Sequence, residues 1–428
     1  MEREHIMKML SEKRAKKRLK GIKLLKKAEA KDVSLIPETV EGKGNLSLHT
    51  FFSFSPYSPS QAAYTAYKSG LEFAGVTDHD TLSGAFEFVS ACKLLGMEST
   101  VGLQLRARFY ENEGRWLNSF YEKDVGFVCI RGIPAGEITA MNKELALTRA
   151  ARVARDEKMV EKFNSRLKKY GISISFAKDV KPLSRYSRGG TITERHILFA
   201  FAQKLKEKFS TAEAILDFIK NTLKIQVEEE FTVALSDAKN PYYAYDLVNC
   251  LKHEIRFFYV PDENLPAAKS LVEFAHRHGA LATYAYVGST KRIYEGEETV
   301  IELESGYMEE LMKDLADTGF DAVEYSPFTV DGDTAARLTV LAAENGMFTL
   351  PASDVNSPRH RLISYGSLPE ELALNSRAVI GHEKSASYDI SDGINTEKSK
   401  EKNPDLKTRL RLYAEIGRLG LENKPKTK

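Results

Sequence analysis

The feature that most constrains this chain is a repeating unit: a short apolar run, a polar loop, a helical stretch, and a glycine that closes the helix. Leu46–Thr50 reads as a strand and Ser60–Ser69 as a helix closed by Gly70; Phe73–Val76 follows as a strand, Gly84–Leu95 as a helix before Gly96, and Thr100–Leu103 as a strand. The rhythm returns with a helix over Leu265–His278 before Gly279 and a strand over Ala280–Tyr286. Two more units follow, Met308–Thr318 with Ala322–Tyr325 and Thr334–Glu344 with Phe348–Ala352. Glycine just past a helix accepts the left-handed backbone that ends it. Strands joined through helices run parallel, with the helices packed outside. Six such strands predict a (β/α) barrel, in which chemistry gathers where strands end and loops begin.

Between the two halves the pattern changes. Residues 105–260 are rich in charge and helix formers (Ile138–Tyr170, Thr193–Lys208, Thr211–Leu223) and read as a mainly helical insertion. The expected organisation is therefore a basic helical leader and linker over 1–40, the first part of the barrel over 41–104 and the insertion over 105–260. The second part of the barrel with a C-terminal helix follows over 261–421, then a disordered tail over 422–428. On that last helix Leu406, Leu410, Tyr413 and Gly417 share one face.

Composition narrows the function classes. Hydrophobic residues at 42% and charged residues at 29% suit a globular protein, and no apolar run approaches the length of a membrane span. Three scattered cysteines without a CxxC pair argue against a disulfide framework and a thiolate zinc site, and make a reducing cytoplasm the simplest setting. Eleven Lys or Arg fall between Arg3 and Lys27. They read either as an arm for nucleic acid or as the solvated face of a helix whose stripe (Ile6, Leu10, Leu19, Ile22, Leu25) rests on the body. Aromatic residues that would stack on single-stranded bases do not interleave with them.

Four strand ends carry unusual polar groups: His49 at the end of the first strand, Asp78-His79-Asp80 after the second, His196 opening a helix further on, and Asp354 just after the strand at Phe348. Histidine and carboxylate from separate strand ends is how a barrel assembles a metal cluster. The stretch Asn45-Leu46-Ser47-Leu48-His49-Thr50 resembles the opening motif Asp-Leu-His-x-His-Thr of the PHP (polymerase and histidinol phosphatase) family. Thr77-Asp78-His79-Asp80 with Gly84 is similar to its second motif, and Ala352-Ser353-Asp354-Val355-Asn356 to its late Gly-Ser-Asp-x-His. The resemblance runs over about 44–375. It implies a distorted (β/α)7 TIM-like barrel of PHP type and a metal-dependent phosphoesterase ancestry.

The same resemblance implies metal ligands at His49, Asp78, His79, His196 and Asp354 for Mn, Fe or Zn, with His79 and His196 also placed for acid–base catalysis. His49 and Asp354 would serve one ion, His196 a second and His79 a third. Ser47, Phe54, Gln104, Tyr286 and Asn356 stand where the family carries further ligands, so reduced or absent metal occupancy is expected. Two dications about 3.5–4 Å apart repel by roughly 20 kcal/mol at an effective dielectric near 20, and neutral Gln104 offers no bridging charge. Arg195, Arg359 and His360 are expected to bind phosphate, since the arginine fork donates two hydrogen bonds at once; Arg185, Arg188 and Arg361 lie nearby in sequence. Three functions follow: a phosphate-ester-binding module with weak or no hydrolysis, a phosphoesterase using a single divalent ion, or a scaffold whose basic arm contacts nucleic acid.

Overall fold

The computed structural model describes residues 2–110, 113–119, 121–237, 239–294, 297–360, 362 and 369–419. The expected disordered tail and Arg361 lie outside them.

Nine strands are present: β1 (Val40–Leu48), β2 (Leu71–His79), β3 (Glu98–Arg108), β4 (Val125–Arg131), β5 (Leu281–Tyr286), β6 (Ser289–Tyr294), β7 (Glu297–Glu302), β8 (Ala322–Tyr325) and β9 (Phe348–Pro351). Seven form one sheet in the order β1-β2-β3-β4-β5-β8-β9, and β6 with β7 makes a separate hairpin. The sheet curls until the segment after β9 meets β1. His49 N–H donates to the Val355 carbonyl and Val355 N–H to the Ser47 carbonyl, each at 3.0 Å. The expected α/β barrel is thus present, with seven strands and nearly closed.

One strand departs from the parallel pattern. β4 pairs antiparallel with both β3 and β5, with Leu103 opposite Ile130 and Arg108 opposite Val125. No helix intervenes between β3 and β4 among the described residues, and a connection without a crossover helix favours an antiparallel return. This strand lies inside the stretch read as mainly helical from 105 to 260, whose long helices begin only at Ile138–Glu144 and Ala146–Leu167. Its run Val-Gly-Phe-Val-Cys-Ile-Arg is short enough to be hidden by the charged sequence around it.

Three apolar cores hold the parts together. The largest joins the barrel to its outer helices and takes in Ile6, Leu10, Ile22 and Leu25 from the leader, so the leader's apolar stripe rests on the body. A second lies within the helical insertion and includes Phe54. The third closes the far end of the barrel, where helices Glu370–Tyr388 and Leu406–Leu419 pack on Leu46, Phe73, Leu281 and Leu350. These two helices approach so closely that a Cβ at Gly381 would collide with the Tyr413 carbonyl. No described helix is long and apolar enough to cross a membrane.

Candidate active site in a cationic cleft

At the opposite end, the loops after the strands surround a cleft of about 870 Å³, lined in part by His79, Gln104, Arg195, Lys252, Asp354 and His360. The loop after β1 is tied to the end of β2. Thr50 donates from its backbone N–H and its hydroxyl to Asp78 (2.7 and 2.6 Å), and Ser53 donates to the same carboxylate at 2.6 Å. Burial raises the Asp78 pKa, while His49 and these hydrogen bonds pull it back. Asp78, expected as a metal ligand, is occupied here as a clamp between two strand ends and does not line the cleft.

His49 and Asp354 do come together. The His49 Nε2 stands 3.3 Å from Asp354 Oδ1, while its Nδ1 faces the Ser53 hydroxyl at 3.4 Å. The same Oδ1 accepts from Ser47 at 2.6 Å and from the Gln104 amide at 3.3 Å. The cleft walls push the Asp354 pKa up, but the pull of His49 and the Ser47 hydroxyl outweighs them and holds it well below the usual carboxylate range. Ser47 and Gln104, read from the sequence resemblance as replaced ligands, thus both hydrogen-bond this carboxylate. The His79 ring lies 4.8 Å from that of His49, and its pKa is lowered far below 6.5 by burial and then by His49, which keeps it neutral. His79 Nδ1 lacks a hydrogen-bond partner among the described residues, and His49 Nε2 has only its 3.3 Å contact with Asp354.

His196 is placed elsewhere. It is the third residue of the helix Glu194–Lys208, where its Nδ1 accepts from the Thr193 backbone N–H at 3.0 Å and stands 3.1 Å from the Thr193 hydroxyl, a reciprocal cap. Burial lowers its pKa to about 3, and it does not line the cleft. Its edge meets the ring of Phe54, which turns away into the insertion's core instead of crowding the cleft. Tyr286 does line the cleft.

The arginines divide sharply. Arg359 spends its fork on buried Asp246 (2.6 and 2.8 Å), joining the loop after β9 to the insertion. Arg188 donates to the Lys13 carbonyl, and Arg185 lies over Phe51. Arg195 reaches Asn356 Oδ1 at 2.5 Å. Its neighbour Glu194 is fixed by Arg152 and Arg155, and Arg152 also holds Asp80 at 2.6 Å. That buried chain links the end of β2 to the helix that carries Arg195. His360 Nδ1 lies 2.8 Å from the Asp354 carbonyl.

Two contributors were not expected. Lys252, at the rim, has its pKa lowered by burial and then by Arg195, and His360 is lowered to about 4 by burial and then by Arg195. Among the described residues neither Arg195 nor Lys252 forms an ion pair, so two cations, with the neutral His360 ring beside them, share one part of the cleft. The second is Arg131, at the end of β4 and 1% exposed. It donates to the Leu46 carbonyl at 2.7 Å, to the Thr77 hydroxyl and to Glu324 at 2.5 Å, and stands 3.4 Å from the Ser47 hydroxyl. A charge closing an apolar run was the available signal for Arg131; Lys252 gave none.

A divalent ion is poorly served by this arrangement. A catalytic zinc takes three protein ligands and a water, and no group of three or more His, Cys, Asp or Glu among the described residues is placed to hold an ion. His49 and Asp354 supply two donors, Asp78 and His196 are engaged elsewhere, and a guanidinium sits beneath. No family model matches the sequence, and neither does any curated protein. Solved structures do match. A chain from Bifidobacterium adolescentis ATCC 15703, described as a proposed metal-dependent phosphoesterase, aligns with a TM-score of 0.53 and 18% identity over 79% of this chain and 96% of its own. An amidohydrolase from Chromobacterium violaceum, with bound sulfate and no metal, aligns with a TM-score of 0.52 and 16% identity over the same shares. The fold is shared. At such identity the likeness speaks for the architecture alone.

Proposed function

We propose that this barrel binds a small phosphate ester in its cleft and hydrolyses it weakly or not at all. The observation that carries the reading is the gathering of two cations, Arg195 and Lys252, beside the neutral His360 ring in the cleft, without an ion pair for either cation among the described residues. Cations held close together repel one another, and an anion relieves the repulsion while accepting charge-assisted hydrogen bonds. Arg195 supplies the planar fork, Lys252 a mobile ammonium, and His79 with unpartnered Nδ1 a further contact deeper in the cleft. Hydrolysis by the family's route requires ions that these side chains do not assemble.

Calorimetric titration with inorganic phosphate and a generic phosphomonoester tests the reading, alongside elemental analysis of protein purified without chelator. Saturable binding with less than about a tenth of an equivalent of Mn, Fe or Zn supports it. Stoichiometric metal, with phosphomonoester hydrolysis that disappears in His49→Ala and Asp354→Ala, would replace it with the single-ion phosphoesterase.

A further inference from the structure

The leader helix Ala15–Lys31 carries eight basic residues and a single acid, Glu29. Its buried residues are Arg18, Gly21, Ile22, Leu25 and Glu29, which face the barrel core. At 100° per residue, Lys16, Lys20, Lys23, Lys27 and Lys31 fall within one narrow stripe on the opposite side. All five are exposed, and none forms an ion pair among the described residues. The pairing available to this helix goes elsewhere: Arg18 to Glu87, Lys17 to Glu12 and Lys26 to Glu29.

Nothing among the described residues accounts for that stripe. Like charges three and four residues apart weaken a helix, and the first turn holds no acid to complement the helix dipole. Solubility needs net charge, not five lysines in register. From Lys16 to Lys31 the ridge is about 22 Å long, and it is held rigid because its other face is fixed in the core.

We infer that this ridge docks on the phosphate backbone of duplex nucleic acid. A duplex offers phosphates continuously along such a length and has no need of stacking partners. The first 50 residues contain no Phe, Tyr or Trp, which disfavours single strands, where aromatic stacking supplies much of the affinity. A bilayer is disfavoured for a related reason: the apolar residues an amphipathic helix would insert are spent on the barrel. Backbone contacts of this kind carry no sequence preference.

Fluorescence anisotropy of the full chain with a labelled mixed-sequence 24-base-pair duplex tests this. Five phosphate contacts predict a slope of log K against log salt of about −4.5. Lys20→Glu/Lys23→Glu/Lys27→Glu, all solvent-facing, is expected to weaken binding about tenfold or more and to bring the slope to about −1.8, with an unchanged melting temperature. Lys168→Glu/Lys169→Glu, on the insertion, is expected to bind as the parent does. Equal duplex binding by the stripe variant overturns the inference, as does an equal loss in the insertion variant. So does binding to phosphatidylserine vesicles without binding to duplex.

Discussion

The guanidinium of Arg131 and the carboxylate of Glu324 meet at 2.5 Å inside the barrel, with 1% and 2% of their side chains exposed. Thr283 donates to the other Glu324 oxygen at 2.6 Å, so the ion pair is set in a network that spans β1, β2, β4, β5 and β8. Through Ser47 it reaches Asp354. The barrel thus carries an internal cation linked through Ser47 to Asp354 at the base of the cleft.

Breaking such a pair leaves a charge stranded in the interior, which typically costs about 3–5 kcal/mol, whereas replacing both partners with apolar groups is close to neutral. Arg131→Met is therefore expected to lower unfolding free energy by that amount, and Arg131→Met/Glu324→Leu to recover most of it. Urea unfolding of the two variants and the parent measures both. A single variant costing less than about 1 kcal/mol would show that solvent reaches Glu324.

Arg195 is the side chain on which anion affinity should depend most. A hydrogen bond to a charged group contributes about 1.5–3 kcal/mol, so Arg195→Ala is expected to weaken phosphate binding about ten- to hundred-fold. Arg195→Lys should recover only part, because an ammonium lacks the planar fork. Calorimetric titration reads the affinity and a thermal melt confirms the fold.

The sequence pattern exposed the barrel because each helix ends in glycine and each strand is short and apolar. It exposed His49, His79 and Asp354 because polar groups directly after apolar strands are conspicuous. What it concealed depends on contacts between distant parts of the chain. His196 opens a helix, but only the folded loop shows its ring turned to Thr193 as a cap. Arg359 reads as a free phosphate donor until the insertion brings Asp246, 113 positions earlier, against it. Lys252 sits in a charge-rich helical stretch and becomes notable only when Arg195 lies beside it.

The C-terminal helices give a prediction independent of the cleft. His382 is 2% exposed, its Nε2 lies 2.9 Å from the Gly279 carbonyl, and its Nδ1 accepts from the Ile394 backbone N–H at 3.1 Å. With Nδ1 an acceptor the ring is neutral, and burial lowers its pKa from 6.5 to about 4. Below pH 6.5 the unfolded chain binds a proton that the folded chain refuses, so stability falls as pH drops and levels off below about 4. Next to it, burial raises Glu383 to about 8. There the folded chain binds the extra proton, and stability falls as pH rises from about 4.5 through 8. Between about pH 4.5 and 6.5 the two effects oppose each other, so relative to the parent His382→Asn should gain stability as pH falls from 6.5 to 4, while the loss toward pH 8 persists. Urea midpoints across pH 4–9 would show it, and an unchanged acid limb would remove His382 as its source.

Gly381 is the point where helix Glu370–Tyr388 crosses Leu406–Leu419, and Gly417 presents the matching gap to the Arg377 carbonyl. Neither has left-handed backbone, so the need for glycine here is steric and not conformational. Added side-chain volume must push the helices apart and open the core around Tyr413, Ile380 and Leu410. Overpacking of this kind costs about 1–3 kcal/mol, occasionally more, and in an unconstrained helix Gly→Ala would instead stabilise by about 1 kcal/mol. Gly381→Ala is therefore expected to lower the melting temperature while leaving phosphate affinity unchanged, since the cleft lies at the other end of the barrel. Thermal melts paired with calorimetric titration separate the two readouts, and a raised melting temperature would mean that the helices sit farther apart than described.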